Sequence, residues 1–337
     1  MQDLLPRLME YVRSQPWALM PEKLAMLADV IAFRSAGGRL TRDEIVARIG
    51  ERAKHEPLAF FDHESGEALE IGPSAAALQG RPAASVIAVL GVLGIISQRA
   101  AAVDDMSGPG GTSTERLTAR FRAVRDDAAV KAIVLDIDSP GGGVYGIQEL
   151  AAEILASRGT KPVVAVANSL AASAAYWLAS AADQVSVTPS GVVGSIGVYA
   201  AHEDVSGLLE KEGVKVTLIS SGKYKTEGNP FQPLSEDALA YMQSEVDRYK
   251  DVFVGAVAKG RGVPRSKVES DFGQGRTMGA EASLGAGMVD RIETLDAAIS
   301  RIAGRKGNAQ PVAAVAPERS YAAENQAAAA RARMRMR

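Results

Sequence analysis

The sequence predicts an α/β fold over residues 81–304, built on a largely parallel sheet. Apolar runs in this region have the length and composition of buried strands, at 86–92, 132–137, 163–167, 185–188 and 215–220. Stretches of helical periodicity lie between them, at 115–127, 145–157 and 172–182. Because the runs are continuously apolar rather than alternating, we expect a sheet that is covered on both faces.

More helices are predicted after the last of these strands. Residues 235–259 have the pattern of a long amphipathic helix, and shorter helices are expected at 279–286 and 293–303. Residues 98–113 contain the sequence Ser-Gly-Pro-Gly-Gly-Thr, beginning at Ser107, which predicts a flexible loop.

The two ends of the chain are predicted to lie outside this domain. Residues 1–80 form a mostly helical accessory segment and linker, because apolar residues recur there at helical spacing and Thr41 with Glu44 matches a capping box. Residues 305–337 are rich in Ala, Gln, Pro and Arg. They have too few large apolar side chains to offset the entropy of ordering, so a disordered tail is expected.

Composition argues against several classes of function. The 337-residue chain has no cysteine and three histidines, so neither disulfides nor a thiolate or histidine-rich metal site is expected, and no cofactor is predicted. A net charge of −2 gives no electrostatic reason to expect a nucleic-acid partner. Charged residues interrupt the apolar residues of the first twenty positions, so we expect no signal peptide, no membrane anchor and a cytoplasmic location.

A glycine-rich sequence from Asp138 to Gly143 follows the second predicted strand. Glycines there let a substrate approach backbone N–H groups, which can stabilise a developing oxyanion. A plain tight turn is one alternative. Another is a dinucleotide fingerprint, since Gly141, Gly143 and Gly146 have the required spacing. That second alternative lacks its acidic partner, because Asn168 stands where the ribose-binding carboxylate is expected.

Two polar residues are further candidates for chemistry. Ser173 lies among small side chains at a predicted strand-to-helix junction, where the helix dipole favours an attacking oxygen. Lys225 lies in a polar turn between Ser221 and Pro230. A lysine acts as a general base only where its surroundings favour the neutral amine. Taken singly, such a serine more often serves packing and such a lysine is more often solvated, so both roles stay open at this point.

In their order and spacing these motifs resemble the peptidases of the signal peptide peptidase A (S49) family. The resemblance extends over about residues 85–295. The family's D-S-P-G-G motif, nucleophilic serine, G-S-I-G-V motif, S-G-x-x-K turn and closing G-M-V-D motif correspond here to residues 138–142, Ser173, residues 194–198, residues 221–225 and residues 287–290.

The resemblance implies a ClpP/crotonase-like spiral of ββα units and a Ser–Lys dyad. Ser173 would form an acyl-enzyme with Lys225 as its base, and the N–H groups of Gly142 and Ala174 would form the oxyanion hole. A protein or peptide substrate and a homo-oligomeric ring are implied as well. The helical N-terminal segment resembles prophage-encoded members of the family, which act in head maturation beside portal, scaffold and capsid proteins in the bacterial cytoplasm or the procapsid.

Three alternatives remain open from the sequence. His202 lies 29 residues after Ser173 with Asp204 nearby, which is an arrangement compatible with a ClpP-like Ser–His–Asp peptidase. A crotonase-type acyl-CoA enzyme would share the fold and the oxyanion glycines without needing the serine nucleophile. A catalytically silent capsid-assembly protein would keep the fold alone.

Overall fold

The computed structural model describes residues 16–20, 58–70, 72, 74–99 and 111–305. The strands of this part are β1 (Trp17–Leu19), β2 (Leu58–Asp62), β3 (Val86–Leu93), β4 (Ile96–Ser97), β5 (Thr112–Ser113), β6 (Val130–Ser139), β7 (Gly141–Gly143), β8 (Val163–Ala172), β9 (Gln184–Val187), β10 (Val192–Gly194), β11 (Thr277–Gly279) and β12 (Arg291–Ile292). The α-helices are α1 (Thr114–Asp126), α2 (Ile147–Ala156), α3 (Ala174–Ser180), α4 (Ser206–Lys211), α5 (Glu236–Arg261), α6 (Arg265–Asp271), α7 (Ala280–Ala286) and α8 (Leu295–Ile302).

The larger sheet has the strand order β11–β10–β8–β6–β3–β2, and β9 and β12 extend it from β8. Strands β3, β6, β8 and β10 pair in parallel, whereas β2 and β11 are antiparallel to their neighbours at the edges. Strand β8 pairs with β9 through Val164–Ala167 and with β10 through Leu170–Ala172. The predicted α/β class and largely parallel sheet are therefore confirmed.

A smaller sheet in the order β1–β7–β4–β5 contains the glycine-rich sequence. Its strand β7 lies between two neighbours, since Gly142 is opposite Ala18 on one side and Ile96 on the other. A Cβ built on Gly142 would overlap the backbone of Ile96. Only glycine therefore allows these strands to approach so closely.

Helices cover both faces of the larger sheet. Neighbouring residues of a strand point to opposite faces, so Leu135 packs in the main apolar core with Phe121 of α1 and Leu150 of α2. Val134 lies on the other face, where it packs with Ile299 of α8. This two-sided burial accounts for the continuously apolar strands of the sequence.

Helix α5 packs against the short helix α3. It begins after Ser235, whose hydroxyl accepts the N–H of Ala238, and ends at Gly262 in the left-handed conformation. Phe253 of α5 stacks on Trp177 of α3, with ring centroids 4.6 Å apart and planes 7° from parallel. Within the described ranges, no helix has both the length and the apolar character needed to cross a bilayer.

The prediction of a strand at residues 215–220 is wrong. This segment has no regular secondary structure and lies on the surface, with Ile219 96% exposed. Its apolar side chains imitate a buried strand in the sequence. Because the segment joins neither sheet, its backbone has no ladder partner among the residues that the structure describes.

Residues 1–80 are predicted to be mostly helical, but two short parts of this segment that the structure describes are strands. Residues 17–19 form β1 in the smaller sheet, and residues 58–62 form β2, which pairs with β3 of the larger sheet. The predicted helices before residue 57, the loop residues 100–110 and the tail from residue 306 lie outside the described residues. The domain boundaries at residues 80 and 304 remain predictions.

Candidate active site

Ser173 occupies a sharp turn between strand β8 and helix α3. Its backbone has φ 55° and ψ −121°, and the residue is 1% exposed. A non-glycine residue in this region is strained, and such strain persists only where the surroundings fix it. The N–H of Ser173 donates to the carbonyl oxygen of Gly194 at 2.6 Å, which fixes the turn. A strained strand-to-helix turn is the geometry that projects a nucleophilic serine out of the chain in other hydrolases.

The segment 194–198 forms one side of the serine's surroundings. The Ser173 Oγ lies 3.5 Å from the carbonyl oxygen of Gly197. Ser195 also has a positive φ of 54°, and its N–H donates to the carbonyl oxygen of Arg276 at 2.8 Å. Apart from their place in the G-S-I-G-V motif, these residues have no chemical role that the sequence predicts. Their place in the site could have been predicted from Gly194 and Gly197, the two glycines that flank Ser-Ile in the G-S-I-G-V motif.

The proposed oxyanion donors lie beside the serine. Ala174 is the first residue of helix α3, so its N–H has no acceptor within the helix. A Cβ built on Gly141 would lie 2.9 Å from both the Cβ of Ser173 and the carbonyl oxygen of Ala172. The glycine strand that carries Gly142 therefore packs directly against the nucleophile's turn. The structure thus brings together Ser173, Ala174 and the strand of Gly142.

The two predicted bases are not brought to the serine within one chain. Lys225 is exposed in its turn, where its N–H donates to the carbonyl oxygen of Gly222 at 3.2 Å. The His202 Nε2 lies 3.0 Å from the carbonyl oxygen of Asn229. In the described ranges no hydrogen bond joins either side chain to Ser173.

Asp204 likewise does not complete a catalytic triad in this structure. Its carboxylate accepts, at 2.9 Å, the N–H of Ser206, which lies two residues later in the chain. The hydrogen bonds of Ser206 hold the pKa of Asp204 below its ordinary value, and the His202 charge adds a smaller effect. The Ser–His–Asp geometry is therefore not formed in the isolated chain.

The positioning of helix α3 depends on Arg158 at its C-terminal end. The guanidinium donates to the carbonyl oxygens of Ala181 at 3.0 Å, Ser180 at 3.1 Å and Gly260 at 2.9 Å, and also to that of Ala182. Burial lowers the pKa of Arg158, which nevertheless lies far above neutrality for a guanidinium. A permanent cation thus satisfies carbonyl groups that the helix leaves without partners.

A second set of contacts holds the glycine strand. The Ser139 hydroxyl donates to the carbonyl oxygen of Gly94 at 2.6 Å and accepts the N–H of Gly141 at 3.2 Å. Near the same edge, the Asn168 side chain donates to buried Asp136 at 3.1 Å. Ser139 lies at the carboxyl end of β6, the end at which parallel sheets commonly carry their sites.

Asp290 of the closing motif joins the C-terminal part to the sheet. Its carboxylate pairs with Arg261 and accepts the N–H of Val185 at 2.7 Å. Burial raises the pKa of Asp290, but the Arg261 and Val185 hydrogen bonds lower it by more, so the net shift is downward. The Tyr176 hydroxyl in α3 donates to the carbonyl oxygen of Met288, 2.9 Å away. Burial raises the pKa of Tyr176.

A buried serine on a strained strand-to-helix turn, with a helix N-terminus and a glycine strand beside it, is an arrangement that serine hydrolases use for their nucleophile. The sequence profile of peptidase family S49 matches residues 156–308, which include the serine turn, the G-S-I-G-V segment and the closing motif. Residues 156–308 are therefore similar to the peptidases of family S49.

Two phage proteins are among the sequences to which this chain is similar. The chain is 37% identical over 229 residues to capsid assembly protease C of Escherichia phage lambda, covering 65% of this chain and 51% of that protein. It is 35% identical over 217 residues to head-tail preconnector protein GP5 of Enterobacteria phage P21, covering 64% of this chain and 42% of that protein. The chain thus spans about half the length of these relatives.

Among solved structures, the fold is similar to that of a membrane-bound stomatin-specific protease. The TM-score is 0.40 at 13% sequence identity, and the alignment covers 64% of this chain and 82% of that one.

Proposed function

We propose that this S49-like domain is a serine endopeptidase in which Ser173 is the nucleophile and Lys225 the general base. The observation that supports it most is the strained turn of Ser173, which abuts both the helix N-terminus and the glycine strand. Packing alone does not account for a strained serine here, because an alanine would fill the same space. Backbone strain of this kind is typical of functional positions.

In the proposed reaction, the Ser173 Oγ attacks the scissile carbonyl while the neutral amine of Lys225 accepts the hydroxyl proton. The negative charge that forms on the carbonyl oxygen is stabilised by the N–H groups of Ala174 and Gly142. The protonated Lys225 then gives its proton to the leaving amine, and water hydrolyses the acyl-enzyme by the reverse sequence of proton transfers.

The lysine reaches the serine in an assembled homo-oligomer. Residues 206–231 carry Lys225 on a surface whose apolar side chains are exposed in the single chain, including Val214, Leu218, Ile219 and Phe231. Exposed apolar patches of this extent commonly mark contact with another protein. We infer that a neighbouring copy covers this segment in a ring, and that the contact places Lys225 at a serine site.

The proposed substrates are proteins of a phage head, cleaved in the cytoplasm of the bacterial host or in the procapsid. Support comes from the phage relatives, one of which is named for capsid assembly and the other for the head-tail preconnector. No described contact favours the Ser–His–Asp mechanism, the acyl-CoA chemistry or a silent structural role.

Labelling with a fluorophosphonate tests the base and its origin. We expect Lys225→Ala to lose labelling and His202→Ala to retain it. Mixing the Ser173→Ala and Lys225→Ala proteins before assembly restores labelling if the lysine acts across a subunit boundary. Labelling that depends on His202 and ignores Lys225 would refute the proposed dyad.

A further inference from the structure

The strand Trp17–Leu19 lies in a slot between two walls. On one side it pairs antiparallel with Gly141–Gly143, with Ala18 opposite Gly142. On the other side Trp17 exchanges backbone hydrogen bonds with Tyr199, at 2.8 and 3.0 Å. The slot therefore accepts an extended segment and satisfies its peptide groups from both sides.

The segment in the slot is almost fully enclosed. Trp17 and Ala18 are 0% exposed, and Leu19 is 2% exposed. The Ala18 side chain packs in the main apolar core, whereas its two neighbours point to the opposite face. Such complete burial of three successive residues is the environment of a bound strand rather than of a surface linker.

Both walls of the slot belong to the site of Ser173. A Cβ built on Gly141 would lie 2.9 Å from the Ser173 Cβ and would overlap the carbonyl oxygen of Ala18. The other wall, at Tyr199, follows Gly197, whose carbonyl oxygen is 3.5 Å from the Ser173 Oγ. The enclosed strand therefore passes directly beside the nucleophile.

The register places a carbonyl group where a substrate carbonyl is needed. In an antiparallel ladder, successive residues direct their peptide groups to opposite sides. The peptide groups of Trp17 face Tyr199, and the N–H of Met20 donates to Pro140 at 3.1 Å. Those of Ala18 consequently face Gly142, the residue proposed as an oxyanion donor.

We propose that Trp17–Leu19 is an internal blocking strand, which occupies the slot for the peptide substrate and must leave before a substrate binds. This inference rests on the proposed peptidase function of Ser173. A segment held on the same chain competes at an effective concentration on the order of millimolar. If it leaves the slot one tenth of the time, the apparent affinity for substrate falls about tenfold.

Two substitutions are designed to release the strand by different means. Ala18→Pro removes the backbone N–H that faces Gly142, and Trp17→Asp places a charge in an enclosed apolar position. Met20→Ala is the matched control, because the backbone contact of Met20 with Pro140 does not require its side chain. Circular dichroism and urea unfolding establish that each variant folds.

The first readout is the rate at which fluorophosphonate labels Ser173. We expect it to rise about tenfold or more in Ala18→Pro and Trp17→Asp, and to stay at the wild-type value in Met20→Ala. A synthetic peptide of residues 14–22 should slow labelling of Trp17→Asp again, with little effect on the wild type. Folded variants that label at the wild-type rate would overturn the proposal.

The second readout does not depend on catalysis. The chain has two tryptophans, Trp17 and Trp177, so the Trp177→Phe protein reports on Trp17 alone. A blocking strand predicts emission that is protected from acrylamide and becomes exposed in Ala18→Pro. Unprotected Trp17 emission would overturn the proposal. If neither the wild type nor any variant is labelled at Ser173, the proposed peptidase function fails. Two measurements still decide whether the slot exists: protection of the Trp17 emission from acrylamide, and binding of a fluorescent peptide of residues 14–22 to the Trp17→Asp protein.

Discussion

Replacing Arg158 by methionine is expected to lower the free energy of unfolding by about 3 kcal/mol. Methionine keeps the apolar stem of the side chain but removes the donors to the carbonyl oxygens of Ser180, Ala181, Ala182 and Gly260. A hydrogen bond to a charged group contributes about 1.5–3 kcal/mol. Because one guanidinium makes all four bonds, their contributions do not add, and we expect the loss to equal about two such bonds at the lower figure.

Urea unfolding followed by circular dichroism measures this loss, with Arg265→Met as the control. Arg265 pairs with Asp251, but the two side chains are 46% and 70% exposed, so its removal should cost less than about 1 kcal/mol. Labelling of Ser173 provides a second measure, since helix α3 should also shift when its far end is released. Equal unfolding free energies for the two variants would refute the role assigned to Arg158.

Three further substitutions test the site and its support. Gly141→Ala, at φ 98°, should slow labelling of Ser173 about 100-fold in the Trp17→Asp protein, where the strand Trp17–Leu19 is already released, because its Cβ would displace the nucleophile's turn; unchanged labelling would contradict the proposed contact. Asp290→Asn should make the unfolding free energy depend less on pH in acid. The lowered pKa of Asp290 stabilises the fold at pH values above the ordinary carboxyl range. This contribution disappears as the pH falls through the pKa that Asp290 has in the folded protein. Unfolding curves between pH 7 and pH 3 measure it, and an unchanged pH dependence would contradict the Arg261 pairing. Phe253→Ala should lower the unfolding free energy by about 3–5 kcal/mol through lost core packing, and a loss under about 1 kcal/mol would be inconsistent with its burial.

The regular elements of the main domain could be predicted because their signals are local. The apolar runs at 86–92 and 163–167 lie within β3 and β8, and the helical pattern at 235–259 coincides with α5 and its N-cap, Ser235. Residues 215–220 show the limit of such signals. The same apolar composition serves a buried strand or an exposed segment, and only the presence of a ladder partner distinguishes them.

The candidate site could be predicted only in part. Ser173 and Ala174 could be placed because their junction has a strand signal before it and a helix signal after it. No local signal indicates the strand Trp17–Leu19 beside the glycines, because its partners are more than 100 residues away in the chain. For Lys225, the position in one chain does not form the proposed dyad, and its role as the base remains a prediction that depends on the proposed assembly.

Acylation of Ser173 is the step on which the proposed peptidase function depends most directly. The decisive measurement is mass-spectrometric mapping of the fluorophosphonate adduct on the assembled protein, beside a Ser173→Ala control. We predict a single adduct, on the peptide that contains Ser173, and none in the control. An adduct on another residue, or equal labelling of the Ser173→Ala protein, would contradict the account.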